Sequence, residues 1–147
     1  MIGNSYAIES DTAACQTFAK NFPSAIVYNY DANKFLERAM KIDAGYVEGI
    51  AYDIAGNLMP KMPAKGDIDM IVGGPPCQGW SRANRKNNPN KILKEPICPM
   101  REAIATFLSY VDFYRPKYFL LENVPGIKHH PVGSISRIYL NSQSYQQ

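Results

Sequence analysis

The sequence predicts an α/β fold with a parallel sheet, on three observations. Short apolar runs alternate with stretches of helical spacing, the pattern of strands joined by crossover helices. Glu9, Asp31, Cys77 and Glu122 all fall at or just past the carboxyl end of such a run, where open parallel sheets bind ligands. The composition suits a packed core: 147 residues, 46% apolar and 20% charged.

Tyr6-Ala7-Ile8 is a short apolar run that closes on Glu9 and predicts a strand. Ser10 and Asp11 are good helix N-caps, and 12–21 has helical spacing with Ala14 and Phe18 on one face. Pro23 ends that helix. Ala25 to Tyr28 is β-prone and predicts the next strand. Asp31 follows, and 34–42 predicts a second helix with Phe35, Leu36 and Ala39 turned inward.

From Asp43 to Gly66 periodicity fades, and four glycines with Pro60 and Pro63 predict a surface excursion. Met70-Ile71-Val72 predicts a short buried strand that stops at Gly73. The stretch 80–99 is polar and basic, with Arg82, Arg85, Lys86, Lys91 and Lys94, and reads as a mobile loop. Met100 to Tyr114 predicts a helix with Ile104, Phe107, Leu108 and Val111 on one face. Pro116 ends it, and Tyr118 to Leu121 predicts the last strand. The tail beyond Lys128 has little apolar periodicity and is expected to be poorly ordered.

A formal charge of +3 is too weak by itself to argue for nucleic acid. No apolar run approaches membrane-spanning length, and no secretory pattern opens the chain. Cys15, Cys77 and Cys98 form no Cys-x-x-Cys pair, which argues against a zinc site or a disulfide scaffold. His129 and His130 are adjacent and read as surface residues, so no metal site is expected.

Cys77 is the residue with the clearest chemical setting. In "IVGGPPCQGWSR" two glycines allow close approach by another molecule, and two prolines fix φ. A thiol there is held exposed, beside a basic stretch that would favour the thiolate. Glu122, ending a strand that can neighbour this one, is the candidate acid, and partial desolvation would raise its pKa. The competing reading is a small buried cysteine in a turn.

"GGPPCQGWSRANR" together with "FLLENVPG" resembles the C5-cytosine DNA methyltransferases. "YAIESDTAACQTFAKNFP" is similar to their cofactor-ribose segment, and "FLSYVDFYRPKYFLLENV" resembles the maintenance-type eukaryotic enzymes and their fungal relatives. The resemblance covers about Ser5 to Gly126 and implies a Rossmann-like fold that uses S-adenosyl-L-methionine. It implies a partial catalytic domain over 1–128, a divergent tail over 129–147, double-stranded DNA as partner, no membrane or metal, and the nucleus as location.

The resemblance also implies roles. Cys77 would attack C6 of a flipped cytosine, with Glu122 near N3 and Asn123 holding the Cys77 loop. Glu9 would accept from the ribose hydroxyls and Asp31 from the adenine amino group, with Ser10, Ala32 and Pro76 also at the cofactor. Glu9 read alone is a helix N-terminal acid, and Asp31 read alone is an N-cap. Gln78, Ser81, Arg82, Arg85 and Lys86 would meet DNA; read alone they are a solvated basic loop. A thiol hydrolase would need an activating histidine, and the maintenance-type segments disfavour an RNA methyltransferase.

The chain begins after the family's Phe-x-Gly-x-Gly turn and shows no Gln-x-Arg-x-Arg segment. It is therefore expected to lack the first strand-helix unit and the C-terminal part, to be a piece of a longer methyltransferase chain, and to have little activity alone. The alternative is a non-catalytic remnant or interaction module of the same fold.

Overall fold

The protein is described by a computed structural model that covers residues 5–46, 49–75 and 99–123. The expectations for Pro76, Cys77, Gln78, Ser81, Arg82, Arg85, Lys86, the histidine pair and the tail lie outside these residues. In chain order the elements are β1 (Tyr6–Glu9), α1 (Thr12–Asn21), β2 (Ile26–Asn29), α2 (Ala32–Asp43), β3 (Met70–Gly73), α3 (Pro99–Tyr114) and β4 (Tyr118–Leu121). The strands form two parallel pairs, β1–β2 and β3–β4, as two separate ladders. The chain divides into two compact units, Met1–Asp67 and Ile68–Gln147.

In the first unit β1 and β2 pair from Tyr6↔Ile26 to Glu9↔Asn29. Asp11 caps α1, its carboxylate accepting the Ala14 N–H at 2.9 Å. The inward face of α1 is not the one that Ala14 and Phe18 predict. Cys15 is its buried residue, Ala14 is exposed, and Phe18 is 38% exposed against the Phe22 ring at 4.7 Å. The phase of this short helix follows from its cap and its brief link to β1, which turn position 15 onto the strands.

Asp31 caps α2 in the same way, and Phe35, Leu36 and Ala39 are buried as predicted. Phe35 meets Tyr28 edge-on at 4.8 Å, and both are 1% exposed. The helix stops where periodicity fades. Gly45, at φ +83°, allows the Tyr46 N–H to reach Lys41 O and its own N–H to reach Ile42 O, a Schellman ending.

The excursion that follows is pinned to the strands. The Tyr28 hydroxyl donates to Lys61 O at 2.6 Å, the Ile54 N–H donates to Asn29 O at 2.8 Å, and Pro63 is buried. Lys65 pairs with Asp43 at 2.6 Å.

In the second unit β3 and β4 pair from Met70↔Tyr118 to Gly73↔Leu121. Ile104, Phe107, Leu108 and Val111 of α3 form the predicted buried cluster, with Ile71, Phe119 and Leu121 packed against it. The other alternation of the two strands, Met70, Val72, Tyr118 and Leu120, is more than half exposed. Arg115 leaves α3 at φ +51°, a left-handed residue that reverses the chain before Pro116. Lys117 and Asp69 pair at 2.7 Å, but both are about three-quarters exposed, so the pair adds little stability.

Candidate functional site

In the first unit the site residues sit at the carboxyl ends of β1 and β2. Glu9 is the last residue of β1, and its Oε1 accepts the Asp11 N–H at 2.9 Å and the Ser10 hydroxyl at 3.4 Å. Asp31 accepts the Lys34 N–H through Oδ1 at 3.0 Å, and Ala32 opens α2. Both acids are therefore helix-terminal acids, as their residue types alone suggest. Each spends one oxygen on that task, and its second oxygen has no partner among the described residues. Glu9, Ser10, Asp31 and Ala32 are all exposed.

Asn29 joins these residues although no sequence motif marks it. It ends β2 opposite Glu9 and is 5% exposed. Its Nδ2 donates to Thr12 Oγ1 at 2.7 Å, and its carbonyl accepts from Ile54. It thus ties β2 to the first residue of α1 and to the excursion. Its Oδ1 is buried without a partner among the described residues, an arrangement that favours a bound donor there. The available signal was an amide side chain closing the β-prone run "AIVYN".

Cys15 lies beneath this end, its thiol donating to Glu9 O at 3.2 Å. Burial, and then the Glu9, Asp11 and Asp53 carboxylates, push its pKa up. Its folded pKa exceeds its unfolded one, so this contribution to stability is full below the unfolded thiol pKa and is lost as pH rises through the folded value. The native chain should leave Cys15 unalkylated by iodoacetamide at pH 8 until urea unfolds it. Peptide mass mapping checks this, and fast native labelling of Cys15 would contradict its placement.

In the second unit the ends of β3 and β4 place the Gly-Pro turn beside Glu122 and Asn123. The Glu122 N–H donates to Gly73 O at 2.9 Å, and Asn123 Nδ2 donates to Pro75 O at 3.1 Å. A Cβ on Gly74 would sit 3.3 Å from Glu122 Oε2, so the carboxylate rests against a backbone that glycine leaves bare. A Cβ on Gly73 would meet the Phe107 ring at 2.7 and 2.8 Å. The two glycines thus serve different neighbours, the core for Gly73 and the carboxylate for Gly74. Glu122 is exposed, so the described residues do not supply the desolvation expected of it.

Each unit carries polar and acidic residues at the carboxyl ends of parallel strands, and comparison with known proteins decides the family. The family model for C-5 cytosine-specific DNA methylase matches residues 2–144. The chain belongs to that family. The match runs past Lys128, where the resemblance was expected to end. The methylase chain is 37% identical over 121 residues to DNA (cytosine-5)-methyltransferase PliMCI of Paracentrotus lividus, covering 82% of the chain and 7% of that relative. It is 38% identical over 120 residues to DNA (cytosine-5)-methyltransferase 1 of Mus musculus, covering 81% and 6%.

DNA (cytosine-5)-methyltransferase 3 of Arabidopsis thaliana is 36% identical over 138 residues, covering 81% and 10%. A solved E. coli structure described as a prophage-encoded DNA modification methyltransferase superposes with a TM-score of 0.56 at 26% identity. That superposition covers 93% of this chain and 30% of the other. The methylase chain thus spans a tenth or less of the curated relatives' length. The parallel strand pairs with their helices are consistent with a partial Rossmann-like methyltransferase fold.

Proposed function

We propose that this chain carries the nucleophile and cofactor-ribose segments of a DNA cytosine-5 methyltransferase, acting on double-stranded DNA in the nucleus. The observation that carries the reading is the pairing of the Gly-Pro turn with Glu122 and Asn123 at the ends of β3 and β4. Asn123 anchors the turn through Pro75, two residues before Cys77. Cys77 then attacks C6 of a cytosine turned out of the duplex, forming an S–C6 bond and sending the ring electrons toward C5 and N3. Glu122 meets the charge that builds at N3 by holding or donating a proton there. Stacking of the cytosine against the site would supply the desolvation that the exposed Glu122 lacks. Gln78, Ser81, Arg82, Arg85 and Lys86 contact the DNA, the three cations on phosphates.

S-adenosyl-L-methionine supplies the methyl group when bound. The first unit fits its nucleoside end. Glu9 and Asp31 each present an acceptor oxygen at neighbouring strand ends, and ribose hydroxyls and an adenine amino group are donors. Ser10 and Ala32 flank these acids, and Pro76 is a further cofactor contact in this reading. Proton removal from C5 and departure of Cys77 complete the reaction.

The test is calorimetric titration of the 147-residue chain with S-adenosyl-L-methionine. Saturable heat is expected, and Glu9→Ala should weaken it by roughly tenfold, the order of a charge-assisted hydrogen bond. No heat from the wild-type chain at millimolar cofactor would sink the catalytic reading and leave a non-catalytic module of the same fold.

A further inference from the structure

We infer that Ile54, carried on the turn 52–58, is the apolar wall of the nucleoside site and covers one face of the adenine ring. The inference rests on the reading that the ends of β1 and β2 hold S-adenosyl-L-methionine. It starts from a shortage. Nucleoside pockets need apolar surface as well as a few polar groups. Glu9 and Asp31 supply the acceptors, but the residues after them, Ser10, Asp11, Ala32 and Asn33, supply no large apolar side chain.

The excursion brings one there. The Ile54 N–H donates to Asn29 O at 2.8 Å, which fixes Ile54 at the carboxyl end of β2, on the edge away from β1 and two residues before Asp31. The turn that carries it is well fixed. Tyr52 bridges Leu58, the Asp53 N–H donates to Asn57 O at 2.8 Å, and the Asp53 carboxylate accepts the Asn57 N–H at 2.7 Å. Gly56, at φ +84°, closes the turn.

Ile54 is nevertheless 56% exposed, an apolar side chain on a fixed backbone at the strand end that leads to Asp31. Covering it with an aromatic ring removes that exposed surface, and the ring's amino group lies on the side of Asp31. Tyr52 and Leu58 are exposed on the same turn, but neither backbone is bonded to the strand end. Ile54 is therefore the residue placed for the ligand.

The experiment titrates the 147-residue chain and its variants with two probes, S-adenosyl-L-methionine and adenosine. Ile54→Ser should weaken both by a similar factor, roughly tenfold for a half-buried aliphatic contact. Ile54→Leu should keep wild-type affinity within about threefold. Leu58→Ser is the control and should change affinity for neither probe. The melting temperature of Ile54→Ser should stay at the wild-type value, because an exposed side chain is altered. Ile54→Ala serves as a second variant should the serine lower it.

Equal binding by wild type, Ile54→Ser and Ile54→Ala would overturn the inference and leave the cofactor reading standing. So would an equal loss in Leu58→Ser. A wild-type chain that binds neither probe would overturn the cofactor reading, and the wall with it.

Discussion

Alanine at Gly73 is expected to lower the stability of the unit that carries β3, α3 and β4 by about 1–3 kcal/mol, the range for overpacking a filled core. Gly73 ends β3 directly under α3. The new methyl would lie 2.7 and 2.8 Å from two carbons of the Phe107 ring. The ring has nowhere to retreat. Phe107 is 8% exposed, belongs to the cluster with Ile104, Leu108 and Val111, and meets Phe119 edge-on at 6.2 Å. No unusual φ is involved at Gly73, so the cost is one of packing and not of backbone conformation.

Urea unfolding checks this: the midpoint should fall with the slope unchanged. Phe107→Leu made together with Gly73→Ala should recover part of the loss, because the pair shares one contact. Gly74→Ala is the contrasting case. Its methyl meets Glu122 Oε2 at 3.3 Å, with Glu122 Cβ at an ordinary 3.9 Å, and an exposed carboxylate swings aside at little cost. An unchanged midpoint in Gly73→Ala would refute the packing argument.

Cys77→Ser should abolish covalent capture of DNA that contains 5-fluorocytosine. In the proposed reaction the sulfur adds to C6, the methyl group is placed on C5, and a base must then take the C5 proton before sulfur can leave. Fluorine at C5 cannot be removed as a proton, so the S–C6 bond persists and a protein–DNA adduct survives denaturing gels. A serine hydroxyl at neutral pH is not ionised and is a poor nucleophile without a base beside it. The yield of adduct should fall by at least about a thousandfold, the scale on which removal of a nucleophile acts. Glu122→Gln should slow capture while leaving Cys77 alkylation unchanged, because its task is at the base. Adduct formed equally by Cys77→Ser would exclude Cys77 as the nucleophile.

Much of the fold was legible because its signals are local. Caps, prolines and 3.6-residue spacing located α1 and α2, and Ile104, Phe107, Leu108 and Val111 were identified as the buried face of α3 from their positions alone. The strand ends carrying Glu9, Asp31 and Glu122 were legible for the same reason. The phase of α1 was not. Ten residues with Ala14 and Phe18 at one spacing and Cys15 at another hold two weak patterns, and packing against β1 and β2 chose between them.

Asn29 was passed over because a single amide in a strand has no pattern. Its meaning lies in partners at positions 12 and 54. The excursion was read as surface because its backbone is irregular. Its ties run from Tyr28 to Lys61 and from Ile54 to Asn29, across distances in sequence that no periodicity reports.

The amino-acid sequence by itself determined which segments become strands and helices, and which residues stand at the strand ends. It also carries the Cys77 and Glu-Asn motifs that mark the family. These depend on side chains a few residues apart, where spacing and backbone preference govern. Only the tertiary structure decided that the strands pair as β1–β2 and β3–β4, that Gly73 is bare for the sake of Phe107 while Gly74 is bare beside Glu122, and that Ile54 is delivered to the end of β2. Those arrangements depend on which distant atoms come to share one small volume, and close packing, not local propensity, settles that.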